Sequence, residues 1–386
     1  MLPSWTNKRH LAAFLLQAIL ITCSASAFAA EQKEEAFPNL GRLVSASGNP
    51  WLQEFWALGR YHAQYHTGNG DTADSEGLEH RRLRLGFQAR MFQKLTLHAQ
   101  AVSGTDLDPL YNGFTELWAG WRFNDALILT VGQQKHRFTH DRNVSSRYIN
   151  YLERGMLTNM FALDYTPAVT LSGTVKDWTY YTGVFSNATG RNMRKAFTEN
   201  KSGTSFMISA TRDLHGALGM DTAHLNVAWL RSDAKPDATN MNQFDTGLNT
   251  ALIMTKGSRA LVAELTAGHD SSSGAAIGLN LQPSWFITRK VQLVGRYQLA
   301  FSDSPAGLRA QRRYERPAGL DRGDHYQAAY VGADYYLAGH RTKLMAGLEY
   351  ARMDQREVVT ASVAFRMFFG PHSRAPFPAA MLLEPD

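Results

Sequence analysis

The sequence predicts an all-β protein, a 16-stranded antiparallel transmembrane β-barrel. Three observations predict it. Segments of about ten residues alternate apolar and polar side chains, and the connections between them alternate short and long. After the first thirty residues, no stretch is long and apolar enough to form a membrane helix.

The N-terminus reads as an export signal. Lys8 and Arg9 precede an apolar run, Leu11 to Ile21, that is too short to span a bilayer, and Ala27-Phe28-Ala29 offers a small-x-small cleavage site. Residues 1–29 are expected to be a signal peptide, with the junction at Ala29/Ala30. The acidic stretch Glu31 to Glu35 is unlike the flank of an anchored helix. Cys23 leaves a lipoprotein reading open, although Thr22 before it fits that reading poorly. Cleavage after Ala29 removes the single cysteine, so the secreted chain must be stable without disulfides. It also leaves 38 basic residues (40 less Lys8 and Arg9) against 34 acidic ones. That excess is too mild to indicate a nucleic-acid partner.

The clearest strand is Arg82 to Met91. Successive side chains of a strand point to opposite faces. Leu83, Leu85, Phe87, Ala89 and Met91 therefore share one side, and Arg82, Arg84, Gly86, Gln88 and Arg90 the other. Phe55–Tyr65 comes before it. After it come Leu95–Val102, Leu117–Phe123, Ala126–Gln134, Val169–Thr174, Trp178–Ser186, Ser205–Thr211 and Ala223–Leu230. Leu248–Thr255, Leu261–Gly268, Ala275–Phe286, Val291–Phe301, His325–Tyr336, Lys343–Arg352 and Val358–Phe369 complete sixteen. Short connections include Phe92–Lys94, Asn124-Asp125, Lys176-Asp177, Lys256–Arg259, Thr288–Lys290 and Leu337–His340. Long ones include Thr67–His80, Lys135–Thr166, Asn187–Lys201, Ser232–Asn242 and Ser302–Asp324. Bacterial barrels have short periplasmic turns and long outer loops, so the alternation also sets the orientation. Residues 30–53 are then an N-terminal periplasmic segment, 54–370 the outer-membrane barrel and 371–386 a Pro-rich periplasmic tail. A soluble β-sandwich or propeller fits less well, because nearly every strand has an apolar outward face and no blade-length repeat occurs.

Assigning the less apolar face of each strand to the lumen places Arg60, Arg82, Arg84, Arg90, Arg122, Arg296, Lys343 and Arg366 there, against Glu116, Glu264 and Glu349. Eight basic residues against three acidic ones is a stronger bias than that of the whole chain. Positive charge on a water-filled wall with low-dielectric backing enriches anions, and arginine's planar fork suits phosphate. The competing reading is a wall whose charges pair off and leave a non-selective channel, or a barrel plugged by its loops in a structural or adhesive role.

Several segments resemble the phosphate-selective porin O and P family. Arg81-Arg82-Leu83-Arg84-Leu85-Gly86 with Leu95-Thr96-Leu97 resembles an early hairpin of that family. Leu129-Thr130-Val131-Gly132-Gln133-Gln134, running on to Ser145-Ser146-Arg147-Tyr148 and Tyr151-Leu152-Glu153-Arg154, resembles its strand and pore-entering loop. Val331 to Leu344 is similar to its late hairpin. The resemblance implies a 16-stranded outer-membrane porin, commonly a homotrimer, passing small anions such as phosphate. It also implies that the loop Lys135 to Arg154 folds inward as a constriction, with Arg142 and Arg147 near the narrowest point and Glu153 and Arg154 anchoring it. Arg82, Arg84 and Arg90 are only a partial arginine ladder, and Lys135 is the loop's one lysine, so anion preference is expected rather than strict phosphate selectivity. Arg309, Arg312, Arg313, Arg316 and Arg322 lie in another basic stretch, suited either to funnelling anions or to binding lipopolysaccharide phosphates.

No catalytic set is expected: there is no Gly-x-Ser-x-Gly elbow and no serine–histidine–carboxylate grouping. His136 and His140 lack a third ligand nearby in sequence, so no metal is expected. Without a phosphate-cradling Gly-Lys loop, no nucleotide cofactor is expected either.

Overall fold

A computed structural model describes residues 39–161, 163–188, 202–235, 237–239, 243–271 and 274–371. The expected signal peptide, residues 30–38 of the expected N-terminal segment and the tail from 372 lie outside the described residues. The strands in chain order are β1 Arg42–Ser45, β2 Leu52–Gly70, β3 Asp74–Met91, β4 Leu95–Val102, β5 Phe114–Asn124, β6 Leu127–Lys135 and β7 Tyr165–Val175. They continue with β8 Trp178–Ser186, β9 Thr204–Asp213, β10 Thr222–Ser232, β11 Thr246–Lys256, β12 Arg259–Asp270, β13 Gly274–Thr288 and β14 Val291–Ser302. A two-stranded ribbon, β15 Leu308–Arg309 with β16 Arg322–Gly323, precedes β17 His325–Ala338, β18 Thr342–Met353 and β19 Arg356–Phe369.

Sixteen of these, β2–β14 and β17–β19, form the antiparallel barrel, each bonded to its neighbour in sequence, with the ribbon passed over. β19 closes on β2 from Val358↔Gly70 to Phe369↔Gly59. Below Gly59 the short β1 takes over the same edge, with Arg42↔Trp56 and Val44↔Phe55, and Gly41 O accepts from Ala57 N at 2.7 Å. Leu40 O accepts from Gly370 N at 3.0 Å. The seam is thus paired along its length, as a hydrocarbon environment requires. A side chain at Gly59 would collide with the Phe369 ring, so glycine lets the last aromatic residue cross the seam.

The faces divide as the alternation predicts. Leu85, Phe87, Val131, Val169, Val184, Ile208, Leu265, Leu293 and Val331 are exposed on the outside, while Arg84 is buried inside. Near the short-turn end, Trp121, Trp178 and Trp285 stand outward, with Arg212 over Trp178 and Arg259 over Trp285. This is an aromatic belt of the kind that marks a membrane–water interface.

One expected loop is not a loop. Thr67–His80 is the upper part of the β2–β3 hairpin, paired through Thr67↔Glu76 and Gly68↔Ser75 and turning only at 71–73. Cross-strand bonds hold it: Tyr65 to Glu76 at 2.7 Å, Gln64 to Glu79 at 2.5 Å and Asn69 to Asp74 at 3.1 Å. Both faces there are largely polar because the extension stands clear of the hydrocarbon, so alternation could not reveal it. Conversely, 103–113 is an outer connection between β4 and β5.

Two outer segments fold into the barrel. In 136–164, a helical turn α1 (His140–Asn143) is capped by Thr139, whose hydroxyl accepts from Arg142 N at 3.1 Å, and a second, α2, spans Met156–Met160. Phe138, Met156 and Phe161 pack with Phe185, Met207, Leu230 and Phe244. The wall makes room for them with glycines. A Cβ at Gly247 would lie 2.7 Å from both the Phe138 and Phe161 rings, and one at Gly268 would lie 2.7 Å from Phe244. The second segment, 303–324, buries Leu308, Tyr314, Ala318 and Leu320. Its Glu315 accepts from Tyr326 OH and from Gln311 N, each at 2.7 Å. Burial, and then the charge of Glu349, push the Glu315 carboxyl up to about 8.

Three outcomes follow from this packing. Leu85→Arg costs about 2–4 kcal/mol if it falls at the bilayer midplane, read from guanidinium unfolding in lipid vesicles. Gly247→Val drives apart Phe138 and Phe161 and unseats the inward segment, raising single-channel conductance and protease cleavage within 136–164. Glu315 is protonated when seated and ionises near its ordinary 4.5 when released. Its contribution to seating is therefore complete below about pH 4.5 and is lost as pH rises through about 8. Hydrogen exchange across 308–320, corrected for intrinsic rates, should rise over that window in the native protein and stay flat in Glu315→Gln.

Candidate functional site: the charged lumen

The β2–β3 pair carries the densest positive charge. Register sets Arg60 directly opposite Arg84 and His62 opposite Arg82. Like charges facing each other across a ladder repel. Arg60 donates to Ser146 Oγ at 2.6 Å, and Arg84 donates to Tyr165 OH at 2.8 Å with its guanidinium over that ring. The Arg82 side chain makes no hydrogen bond or ion pair among the described residues. None of the three has a carboxylate within 4.0 Å among the described residues. Glu116, on β5, is instead held by His98 at 3.4 Å.

The wall formed by β14 and β17–β19 is different. Arg296 meets Glu349 at 2.6 Å and also donates to Glu153 O at 2.7 Å. Lys343 meets Asp334 at 3.0 Å and donates to Ile149 O at 3.0 Å. Arg366 donates to Ile149 O, Tyr151 O and Leu152 O at 2.9, 2.7 and 3.2 Å. These three cations hold the backbone of the inward segment to the wall. Arg90 and Arg122 stand at the short-turn end, paired with Glu54 at 3.0 Å and Asp125 at 2.8 Å, and are not brought to the cluster.

Lys135, expected in the loop, is the last residue of β6 and donates to Asn143 O and Val144 O of the inward segment at 3.1 and 3.0 Å. Arg154 donates to Asp141 O and Val144 O at 2.9 and 2.8 Å, so it braces the loop internally. Arg142 lies over the Tyr165 ring and 3.5 Å from Asp164. Arg147 lies over Phe368 and donates to Pro371 O at 2.9 Å. Glu153 is the tether: Arg81 reaches it at 2.8 Å and Arg313, from the other inward segment, at 3.3 Å. Burial pushes the Glu153 carboxyl up, but Arg81 and Arg82 outweigh this and hold it down at about 2.

Arg81 was not among the expected lumen residues. The β2–β3 register slips between His62 and Ala63, so two residues, Arg81 and Arg82, face inward in succession. A bulge re-aims a side chain in this way. The doubled arginine itself was the signal, because strict alternation would have put one of the two in lipid. Asp334, Glu79 and Tyr165 are among the other lumen groups that sequence reasoning missed. Asp334 escaped because both faces of β17 mix polar and apolar residues.

The model of the family described as phosphate-selective porin O and P matches residues 55–251, from β2 into β11. Two of the three resembling segments lie within that match, and Val331 to Leu344 lies beyond it. Among solved structures, the anion-selective porin from Comamonas acidovorans is 11% identical with a TM-score of 0.59, covering 82% of this chain and 99% of its own. The high-pH structure of Pseudomonas putida OprB is 10% identical with a TM-score of 0.58, covering 82% and 94%. Salmonella typhi OmpF in complex with daunomycin is 10% identical with a TM-score of 0.54, covering 84% and 99%. At such identities these likenesses show the shared barrel fold. Comparison with curated proteins finds no match. A sixteen-stranded barrel closed for a membrane, with more than half of its sequence matching one porin family, settles the assignment: the chain belongs to the phosphate-selective porin O and P family of outer-membrane porins.

Proposed function

We propose that this porin carries small anions, phosphate among them, down their gradient past the arginine face of β2 and β3. The observation that carries the reading is the Arg60–Arg84 pair: two arginines set directly opposite each other across the ladder, with no carboxylate within 4.0 Å of either among the described residues and only the more distant charge of Glu116 acting on both. An anion between them relieves the repulsion, and each fork can offer two donors to phosphate oxygens. Three other lumen cations are occupied. Arg296 and Lys343 have acid partners, and Arg366 is committed to loop carbonyls. The likeness in fold to an anion-selective porin supports the same reading.

Arg60 and Arg84 are only 5% and 6% exposed, so a passing ion exchanges most of its water for protein donors. That favours selectivity over flux. Arg309, Arg312 and Arg322 near the outer mouth add positive potential that steers anions inward. The reading includes removal of residues 1–29 on export and assembly into a homotrimer in the outer membrane, facing lipopolysaccharide.

The depth of the packing favours one other reading, a barrel kept shut by its own loops. Planar-bilayer recording separates the two. In a KCl gradient the native channel should show an anion-selective reversal potential, and phosphate should block chloride current. Arg60→Glu with Arg84→Glu should abolish the block and move the reversal potential toward cations. Cation preference in the native channel would refute the anion reading; the absence of any channel would favour the closed barrel.

A further inference from the structure

Trp118 of β5 shares the inward side of the wall with Glu116, because Leu117 and Ala119 beside it point outward. Register sets His98 of β4 directly opposite it. The two rings are stacked, 3° from parallel with centroids 5.1 Å apart. His98 is held at both nitrogens: Nδ1 lies 3.2 Å from Gln88 Oε1, and Nε2 lies 3.4 Å from Glu116 Oε2. The imidazole therefore backs one face of the indole and fixes its orientation.

The other face of the indole looks toward β6. There the residue directly opposite Trp118 is Gly132, which has no side chain, and the next lumen pair is Gly120 with Thr130. The ring leans over Gly120: a Cβ at that position would stand 3.3 Å from the indole Cζ3. Trp118 is half-buried, and among the described residues neither a second ring nor a cation stacks on it. A braced indole beside bare backbone thus keeps one aromatic face for a passing solute. Such a face holds flat rings, and stacking tolerates any nucleic-acid base because every base presents a π-face.

The platform lies on the periplasmic side of the arginines. His98 pairs with Gln88 of β3, and Arg84 is four residues nearer the outer end of that strand. Glu116 stands between them and is close enough to feel the charges of Arg60 and Arg84. Its side chain is 18% exposed and can accept from a hydroxyl. A solute that meets all three needs a phosphate, a hydroxylated spacer and a flat ring, in that order. We propose that this channel takes nucleoside monophosphates, with the phosphate at Arg60 and Arg84 and the base on Trp118. The phosphate half rests on the anion reading; the ring half does not.

The test is equilibrium dialysis of AMP, ribose 5-phosphate and adenosine against the folded full-length protein in detergent micelles. AMP and ribose 5-phosphate differ by the base, so the ratio of their affinities reads the platform. The native protein should hold AMP about five-fold or more tightly, and Trp118→Leu should abolish the difference. In saturation-transfer NMR of the native complex, the adenine protons should take up more signal than the ribose protons, a readout that needs no variant. Equal affinities in the native protein, an AMP preference that survives Trp118→Leu, or stronger saturation of the ribose would overturn the proposal. Adenosine separates the two readings. If it binds in a Trp118-dependent way while ribose 5-phosphate does not bind, the platform stands and the anion reading fails.

Discussion

Backbone pairing in hydrocarbon is the constraint on which the rest of this structure depends. No water is available inside a bilayer to satisfy an open strand edge, so the sheet has to close. The weakest place in any such ring is where the first and last strands meet. Here β2 continues below the end of β19, and the chain before it, through β1, turns back to cover the exposed edge. Closure fixes the inside and the outside of every strand, and the whole electrostatic argument follows from that division.

Inside the ring, positive charge has two physically distinct uses. Arg296, Lys343 and Arg366 reach backbone carbonyls of the inward segment, and carboxylates accompany the first two. Removing one partner of so buried a pair leaves an uncompensated charge and costs about 3–5 kcal/mol. These cations therefore belong to the architecture of the constriction. Arg60, Arg82 and Arg84 make no ion pair within 4.0 Å among the described residues, and that is the condition for meeting a mobile ion. The count of lumen cations alone could not separate the two uses, because it depends on which carboxylate each guanidinium reaches.

The two inward segments are coupled through Glu153 and through Gln311. Glu153 accepts from Arg81 on the wall and from Arg313 on the second segment, while Gln311 bonds Arg154 O and Asn159 bonds Gln311. Movement of one segment must therefore disturb the seat of the other. The glycines at 247, 268 and 278 make the matching hollow on the wall, where Phe138, Phe161, Phe244 and Leu157 sit against bare backbone.

The sequence by itself determined the sixteen strands, which of their faces meets lipid on strands such as β3, and the general positive bias of the lumen. Side-chain alternation and turn spacing are local properties, readable in one stretch of chain. It could not determine the polar β2–β3 extension, where both faces meet water and alternation vanishes. Nor could it place Arg81, which a register slip turns inward, or show that Arg90 and Arg122 end at the rim. Tertiary structure alone decided which cations are spent on anchoring and which stay unpaired, because Lys343 meets Ile149 and Arg366 meets Tyr151 across about two hundred residues of chain. Such contacts depend on barrel closure and loop insertion, and neither leaves a periodic trace in the sequence.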